Sequence, residues 1–462
     1  MKNLFRIPAF LALGILLWSL PVAAQYSFDW EMPPETAVVS DFFILHDFMT
    51  EITNTSAVPQ TFRVQLAKGM PASWQATICE GPICYPPHYV DHTFELAPGE
   101  STNLDFAITP VVEAGTGVST VTVTSLDDPS LVSIRSFTVI SAGLDVLFID
   151  ADNNLNASAY FTDALDGAGR TWGAWDIHEM GVLALPDLQY FGTVIWSAGT
   201  DPLAMDAADM AMLDSFVFSG GNLFVSSQNL ARIYCDPGSP FYSADTHAFF
   251  LDVLNIDYVA DNAGTPNVEG APADPYFSGL SYLTVGGDGA GNNSSPDELA
   301  LAPGGVTAMV YETGAFAGIR GSYGQGNTFY TGFSFEAVST SAGRTQLMDV
   351  IVNDWLIPRP QSAGDLPLAG NLAATAVPNP FNPRTEIRFT VGGTASVDAE
   401  LVIHDIRGRA VRRVDLGPVA PGERSFSWNG RDGSGRALPS GLYLAIVRAG
   451  DQADTVKMTL TK

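Results

Sequence analysis

Basic side chains are scarce in this chain of 462 residues. Lys and Arg together number 22 against 50 Asp and Glu, which gives a formal net charge of −28. Residues 361–462 hold 12 of the basic and 10 of the acidic side chains, so the preceding 360 residues carry a net charge of −30. A surface this acidic repels phosphate backbones, and the composition therefore excludes nucleic-acid binding. The same acidity favours solubility, leaves room for divalent cations and is also typical of salt adaptation.

Long hydrophobic runs are missing beyond the N-terminus. Two basic residues precede an apolar run from Phe10 to Leu20, which ends at Pro21 and is followed by small residues. This order predicts a signal peptide over residues 1–24, cut between Ala24 and Gln25. A retained anchor helix is the alternative, but the run is too short to span a bilayer comfortably. We therefore expect a mature chain without a transmembrane segment.

Cysteine is also rare, with three residues in the whole chain. Cys79 and Cys84 lie on either side of Gly81-Pro82, a pair that can turn the chain, and in an exported protein they predict a local disulfide. A metal site is the weaker alternative, because a second pair of Cys or His is missing. Cys235 is left over, and a lone Cys is more often a buried apolar residue than a nucleophile.

Residues 25–141 have the pattern of a β-sandwich. Short runs of alternating apolar and polar residues, such as those at Phe62 and Phe106, are separated by turns rich in Gly, Pro and Asn. The region resembles the immunoglobulin-like modules that stand beside catalytic or binding domains in bacterial surface proteins. Trp74 is either a core residue of this sandwich, which we prefer, or a sugar-stacking residue.

Residues 142–358 alternate between strands and helices. Continuous apolar runs at Val146, Val194 and Leu223 predict strands that are buried on both faces. Helices are predicted between them, one with Asp206 as its N-cap and Asp209 three residues later. Repeated βα units of this kind indicate an open, mostly parallel α/β sheet.

This middle region resembles the flavodoxin-like domain of class I glutamine amidotransferase-like proteins. The resemblance rests on the strand that ends at Asp150, the strand Thr193–Gly199, the segment Gly220–Ser227 and the final Gly332–Glu336. It implies a Cys nucleophile at the turn after Val225 and a His two residues before Glu336. The chain has Ser226-Ser227-Gln228-Asn229 at the first position and Ser334 at the second.

These departures favour a copy of the fold without catalytic residues, since fold does not imply function. The alternative is a secreted hydrolase with a rearranged site built from Ser226 or Ser227, His247 and Glu336, in which Asp245 would orient His247. Activity is therefore uncertain on sequence grounds, and we expect a protein that is not an enzyme.

A cluster of oxygen-bearing side chains follows the first strand of this region. Asp150, Asp152, Asn154 and Asn156 alternate along the chain at the sheet edge where such folds bind ligands. Oxygen ligands suit Ca²⁺, the one cofactor that the sequence suggests. Turns rich in Asp and Asn before the next helix produce the same residue pattern without a metal, and this is the interpretation that we prefer.

The C-terminal residues 377–462 follow a linker over residues 359–376 and form a separate module. Its motifs include Val377–Pro383, Leu401–Gly408, Trp428–Asp432 and Ser440–Tyr443. Their order resembles the FlgD-like immunoglobulin-like C-terminal domain, which is itself often similar to the sorting domain of type IX secretion. The resemblance implies a second β-sandwich that contacts export or sorting machinery, in a protein of the medium or outer surface of a Gram-negative-type bacterium. A surface polysaccharide or a protein would be the ligand of the remaining regions.

Overall fold

The computed structural model describes residues 26–153, 157–201, 203–357, 373–391, 397–405, 410–420, 422–433, 435–449 and 452–461. The predicted signal cleavage site at Ala24 and Gln25 lies outside these residues. The chain divides into two compact units, Met1–Arg359 and Pro360–Lys462. Both units consist mainly of β-strands. No helix among the described residues has the length and apolar character needed to cross a membrane.

The first unit begins with two antiparallel sheets that pack face to face. One sheet has six strands and the other has five. The strands are β1 (Phe28–Glu31), β2 (Ala37–Ser40), β3 (His46–Phe48), β4 (Glu51–Asn54), β5 (Gln60–Gly69), β6 (Gln75–Glu80), β7 (Ile83–Cys84), β8 (Asp91–Leu96), β9 (Ser101–Thr109), β10 (Thr116–Ser125) and β11 (Val132–Ser141). Only the edge pair β2–β11 is parallel.

The sandwich confirms the strands that the sequence predicts. Burial alternates along β5 and β10, and the inward side chains of both sheets, among them Phe62 and Phe106, form one core. Trp74 lies in that core at 6% exposure and donates its indole N–H to the Glu113 carbonyl oxygen, so it is a packing residue. Cys79 and Cys84 face each other across β6 and β7 and form the predicted disulfide.

An eleven-stranded sheet with helices follows in the same unit. Its strands are β12 (Val146–Asp150), β13 (Trp172–Asp176), β14 (Thr193–Gly199), β15 (Asn222–Ser227), β16 (Ile256–Ala260), β17 (Asn267–Gly270), β18 (Ser281–Leu283), β19 (Glu298–Leu301), β20 (Val306–Tyr311), β21 (Phe316–Tyr323) and β22 (Gly326–Thr331). The helices are α1 (Ser158–Gly167), α2 (Ile177–Met180), α3 (Leu185–Leu188), α4 (Ala207–Phe218), α5 (Leu230–Cys235), α6 (Ala244–Ala248) and α7 (Ser341–Asp349). Two π-helical segments, Phe249–Val253 and Val350–Leu356, continue α6 and α7.

The sheet is mixed rather than mostly parallel, which corrects the prediction. Strands β13, β12, β14, β15 and β22 pair in parallel in that order. The remaining strands join beyond β22 through antiparallel pairs. Most of the added strands are short and rich in polar or small residues, so the sequence gives no continuous apolar run to identify them.

The parallel strands are buried on both faces, as their continuous apolar runs predict. Leu147, Val194 and Leu223 contribute to a core that includes residues of α4 and α5, whereas Val146, Ile195 and Phe224 contribute to a second core with α1 and α7. Helix α4 begins at the predicted N-cap: the Asp206 carboxylate accepts the N–H groups of Ala208 and Asp209.

The first of these cores also contains residues of the N-terminal sandwich. Ala37 and Val39 on β2 and Ile140 on β11 belong to the same buried cluster as Leu144 and Leu147. The sandwich and the mixed sheet therefore share a hydrophobic core within one compact unit.

The second unit is a smaller two-sheet sandwich. Its strands are β23 (Ala373–Val377), β24 (Thr385–Val391), β25 (Val397–Asp405), β26 (Ala410–Val419), β27 (Gly422–Trp428), β28 (Gly441–Ala449) and β29 (Gln452–Leu460). They form sheets of three and four strands around Trp428 and Tyr443. The Tyr443 hydroxyl donates to the Pro439 carbonyl oxygen, four residues earlier. Strand β23 begins at Ala373, four residues before the predicted start of the C-terminal module. The other domain boundaries proposed from the sequence stay predictions.

Candidate functional site

The carboxyl edge of the parallel strands is covered by a long loop. This edge loop, residues 284–297, connects β18 to β19. Its backbone follows the segment after β22, since the N–H groups of Asp288 and Ala290 donate to the carbonyl oxygens of Ser339 and Glu336, each at 2.9 Å. Ligands of open α/β sheets bind at this edge. The loop lies where such a ligand would bind.

Glycine makes the close approach of the edge loop feasible. Gly287 has a φ of +63°, and a Cβ atom there would lie 1.9 Å from the Ser339 carbonyl oxygen. A Cβ atom on Gly289 would lie 2.6 Å from the carbonyl oxygen of Ala337. Both distances are well inside van der Waals contact, so residues with side chains would push the loop away from the edge.

Gln228 joins the edge loop to the sheet. It is the first residue after β15, within the turn Ser226–Asn229 where the resemblance implies a nucleophile, and it is completely buried. Its Nε2 donates to the Asn292 carbonyl oxygen (2.7 Å) and to Ser334 Oγ (3.1 Å). Its Oε1 accepts the N–H groups of Ser294 (2.7 Å) and Ser295 (2.9 Å). A side-chain amide has two donor hydrogens and two acceptor positions, and all four are used here.

The serines of this turn have structural hydrogen bonds. Ser227 Oγ accepts the N–H groups of Asn229 (3.1 Å) and Leu230 (3.0 Å), so it caps the start of α5. Ser226 Oγ accepts the N–H group of Phe335 at 3.0 Å. Both serines are completely buried. None of the residues from Ser226 to Asn229 has a positive φ, whereas a nucleophile elbow holds its central residue on a strained turn.

The residues of the alternative hydrolase site have separate partners. His247 Nε2 lies 2.9 Å from Asp257 Oδ1, and Glu336 Oε1 accepts a hydrogen bond from the Asn292 amide at 2.7 Å. Among the described residues, the hydrogen bonds of Ser227, His247 and Glu336 do not connect them to one another. The predicted orienting residue Asp245 lies on the exposed side of α6. The structure therefore does not assemble a Ser–His–acid site from them.

Glu336 is nevertheless an unusual carboxyl group, because it is completely buried. Burial raises its pKa from 4.5 to about 7; the nearby charge of Asp152 adds to this rise, and the Asn292 hydrogen bond opposes it. A carboxyl group with such a pKa can act as a general acid or base only where a substrate can reach it. Here the edge loop and Gln228 enclose the surroundings of Glu336.

The predicted Ca²⁺ cluster is described only in part, because Asn154 and Asn156 lie outside the described residues. Asp150 Oδ1 accepts the N–H group of Asp152 at 3.2 Å, and its Oδ2 accepts the Ser158 hydroxyl at 2.7 Å. Burial raises the pKa of Asp150. The bond from Asp152 is of the Asx-turn type, and together with the bond from Ser158 it employs both oxygens of Asp150. Ca²⁺ binding here remains a prediction.

A second group of polar side chains was not predicted as a cluster. Cys235 at the end of α5, His247 on α6 and Asp257 on β16 bring their sulfur, nitrogen and oxygen atoms within 4.8 Å of one another. Cys235 and His247 were each considered separately from the sequence, and Asp257 was missed. No short spacing motif joins the three residues, and only the antiparallel strand β16 brings Asp257 beside the other two.

A surface cavity of about 310 Å³ lies beside α4 and α6. Three carboxylates line it, those of Asp214, Asp245 and Asp252, together with Tyr323. The side chains of Cys235 and His247 are not part of its lining. It is an acidic and partly apolar cleft on the strongly negative part of the chain.

Comparison with known proteins identifies the C-terminal unit. Residues 379–453 match the family described as the FlgD Ig-like domain, which confirms the FlgD-like part of the sequence resemblance. No curated protein matches the chain. The family match covers less than half of the chain, so it identifies one domain and not the whole protein.

Similar solved structures cover parts of the chain. The N-terminal domain of PorA is 16% identical, with 25% of this chain and 98% of that chain covered and a TM-score of 0.21. FlgD from P. aeruginosa is 23% identical, with 21% and 74% covered and a TM-score of 0.15. PorZ, described as a surface component of the type IX secretion system of Porphyromonas gingivalis, is 18% identical, with 19% and 11% covered and a TM-score of 0.15. At these scores the likenesses do not bear on function, and the chain is described as a multidomain β protein with a C-terminal FlgD Ig-like domain.

Proposed function

We propose that this chain is an exported, non-enzymatic protein of the bacterial surface, delivered or held by its C-terminal FlgD-like domain. The non-enzymatic part of the proposal rests on the position and the hydrogen bonds of Gln228. It lies in the turn where a flavodoxin-like amidotransferase would carry its nucleophile, and three of its four hydrogen bonds fasten the edge loop over the sheet, while the fourth reaches Ser334. A buried amide in this position is neither a nucleophile nor a base.

The order of the parallel strands supports the flavodoxin-like reading. Numbered along the chain, the five parallel strands occur in the sheet as 2-1-3-4-5, which is the flavodoxin-like order. We infer that the central region is a version of this fold that lost its open edge and gained an antiparallel half. Its role is then binding or structural support rather than catalysis.

The acidic cleft beside α4 and α6 is the place where we propose that a surface ligand binds. Asp214, Asp245 and Asp252 accept hydrogen bonds, and Tyr323 offers an apolar face. Carboxylates that accept hydroxyl hydrogens suit a neutral polysaccharide or a basic protein segment, whereas an acidic polysaccharide would be repelled by the net charge of residues 1–360.

The export part of the proposal rests on the N-terminal sequence and on the FlgD Ig-like match. Its test is the intact mass of the protein recovered from the cell surface and from the medium. A mass that lacks residues 1–24 supports export, and further loss of about 90 C-terminal residues, at the predicted linker, identifies the terminal domain as a removable sorting signal. Protein found only inside the cell with residues 1–24 retained contradicts the proposal.

The non-enzymatic part is tested with ester, amide and glycoside substrates. We expect no turnover by the full chain beyond that of a buffer blank, and the same result for Ser227→Ala and Glu336→Gln. Turnover that disappears in Ser227→Ala but persists in Ser215→Ala, a serine on the exposed side of α4, would establish the hydrolase instead.

A further inference from the structure

We propose that Cys235, His247 and Asp257 form a binding site for a zinc ion. The site lies on α5, α6 and β16 and does not involve the edge loop, although α6 also lines the acidic cleft described above. The three side chains come from separate elements that pack against each other, and their donor atoms lie within 4.8 Å of one another. A thiolate, an imidazole and a carboxylate are the three ligand types that zinc takes in proteins.

The distance between His247 and Asp257 is close to that of two ligands on a tetrahedral ion. Zn–N and Zn–O bonds of about 2.0–2.2 Å and a Zn–S bond of about 2.3 Å place neighbouring ligand atoms about 3.3–3.6 Å apart. His247 Nε2 and Asp257 Oδ1 are 2.9 Å apart, so this pair has to open by only about half an ångström. Three protein ligands leave the fourth position for water.

The surroundings hold the ligands in place. Asp257 Oδ1 accepts the N–H group of Tyr258 at 2.8 Å, which orients its carboxylate. Ser243 caps α6 through its hydrogen bond with Thr246, and this cap fixes the short helix that carries His247. The His247 ring lies 5.5 Å from the Tyr242 ring, measured between centroids. The imidazole is therefore restrained from two sides.

Two carboxyl groups lie near the Cys235 thiol. Asp257 and Asp297 are both close enough to interact with it electrostatically, and a carboxylate beside the thiol favours a bound cation. When zinc binds, the S–H proton of Cys235 passes to the buffer, and the thiolate binds the metal.

The fold gives the ion a structural role. Helix α6 has five residues and no buried side chain of its own, and the buried side chains Phe249, Phe250 and Val253 belong to the segment that continues it. A metal bond from His247 to Cys235 and Asp257 would fasten α6 to α5 and β16. We therefore expect the ion to stabilise this corner of the unit.

The test is titration of the purified full chain, freed of metal by chelation, with Zn²⁺ and with Co²⁺. We expect one equivalent of Zn²⁺ to bind tightly, to release about one proton and to raise the temperature of the thermal transition. Co²⁺ should give a thiolate-to-metal charge-transfer band and the strong visible bands of a tetrahedral site.

The variants are Cys235→Ser, which removes the thiolate, and His247→Gln, which keeps a hydrogen-bond donor for Asp257. Both should lose the charge-transfer band and weaken Zn²⁺ binding at least a hundredfold. His88→Gln is the matched control, because His88 is an exposed histidine in the N-terminal sandwich, and it should bind as the parent does. Circular dichroism of the His247→Gln variant checks that it folds as the parent chain does.

Two results would overturn the proposal. The first is Zn²⁺ binding that is unchanged in His247→Gln, which places the metal elsewhere. The second is the absence of any stoichiometric Zn²⁺ or Co²⁺ binding by the folded parent chain. In that case Cys235 is a buried packing residue beside an ordinary His–Asp hydrogen bond.

Discussion

Removal of the Gln228 side chain should release the edge loop from the sheet. Gln228→Ala deletes the four hydrogen bonds of a buried amide, two of them from the N–H groups of Ser294 and Ser295. Each such bond contributes about 0.5–1.5 kcal/mol net. Water that enters the cavity restores part of the loss, so we expect the free energy of unfolding to fall by about 2–4 kcal/mol.

The most direct assay is hydrogen exchange of the loop amides. Ser294 and Ser295 donate their N–H groups to Gln228 Oε1 and should be protected in the parent chain. A loss of about 2 kcal/mol of local stability corresponds to exchange that is about thirtyfold faster. Gln189→Ala, at an exposed glutamine just after α3, is the control and should leave these amides unchanged.

The opposite result is equally clear. If Ser294 and Ser295 exchange at parental rates in Gln228→Ala, the amide does not hold the loop, and the physical argument against an open active-site edge fails. Gln228→Met, which keeps the volume but removes the hydrogen bonds, separates the loss of hydrogen bonds from the creation of a cavity.

Three further predictions concern pH, the disulfide and a helix cap. Burial raises the pKa of Glu336 from 4.5 to about 7, so the folded state keeps a proton that the unfolded state releases. The free energy of unfolding should therefore fall by about 3 kcal/mol as the pH rises from about 4.5 through 7. Denaturant titrations should lose this slope in Glu336→Gln, and a slope that persists there would assign it to other groups. Reduction of Cys79–Cys84, or Cys79→Ser, should lower the stability of the N-terminal sandwich by about 2 kcal/mol, a small effect because the closed loop is small. Calorimetry with and without reductant measures this change. A thermal transition that is unchanged by reductant would contradict the prediction. Asp206→Ala should lower the free energy of unfolding by about 1 kcal/mol, because α4 loses its N-cap. Asp187→Ala at the short helix α3 should lower it by less. Equal decreases in the two variants would argue against a specific role for the Asp206 cap.

The parts of the fold that the sequence predicted are those with strong local signals. Continuous apolar runs identified β12, β14 and β15, and the Asp206–Asp209 capping box located the start of α4. Cys79 and Cys84 are only five positions apart in the sequence, so their disulfide could be predicted as well. In each case the signal lies within about ten neighbouring residues.

The parts that it missed depend on distant contacts. The edge loop is rich in Gly, Asn and Ser, which indicates a loop but not where the loop lies. Gln228 reads as an ordinary polar residue until Asn292, Ser294 and Ser295 are placed around it. The strands from β16 to β21 are short, and their antiparallel pairing depends on β22, which comes after them in the chain. The proximity of Cys235 and Asp257 likewise depends on the pairing of β16, which the sequence does not predict.

The shared hydrophobic core of the first unit determines where the chain can be divided for study. A fragment that starts after Ser141 would lose Ala37, Val39 and Ile140 and would expose the apolar surface around Leu144 and Leu147 that they cover. Such a fragment should aggregate or be recovered in small yield, because exposed apolar surface drives association. Division between Arg359 and Pro360, at the start of the predicted linker and before β23, leaves the cores of both compact units intact. The practical pieces of this protein are therefore two, although its architecture has three regions.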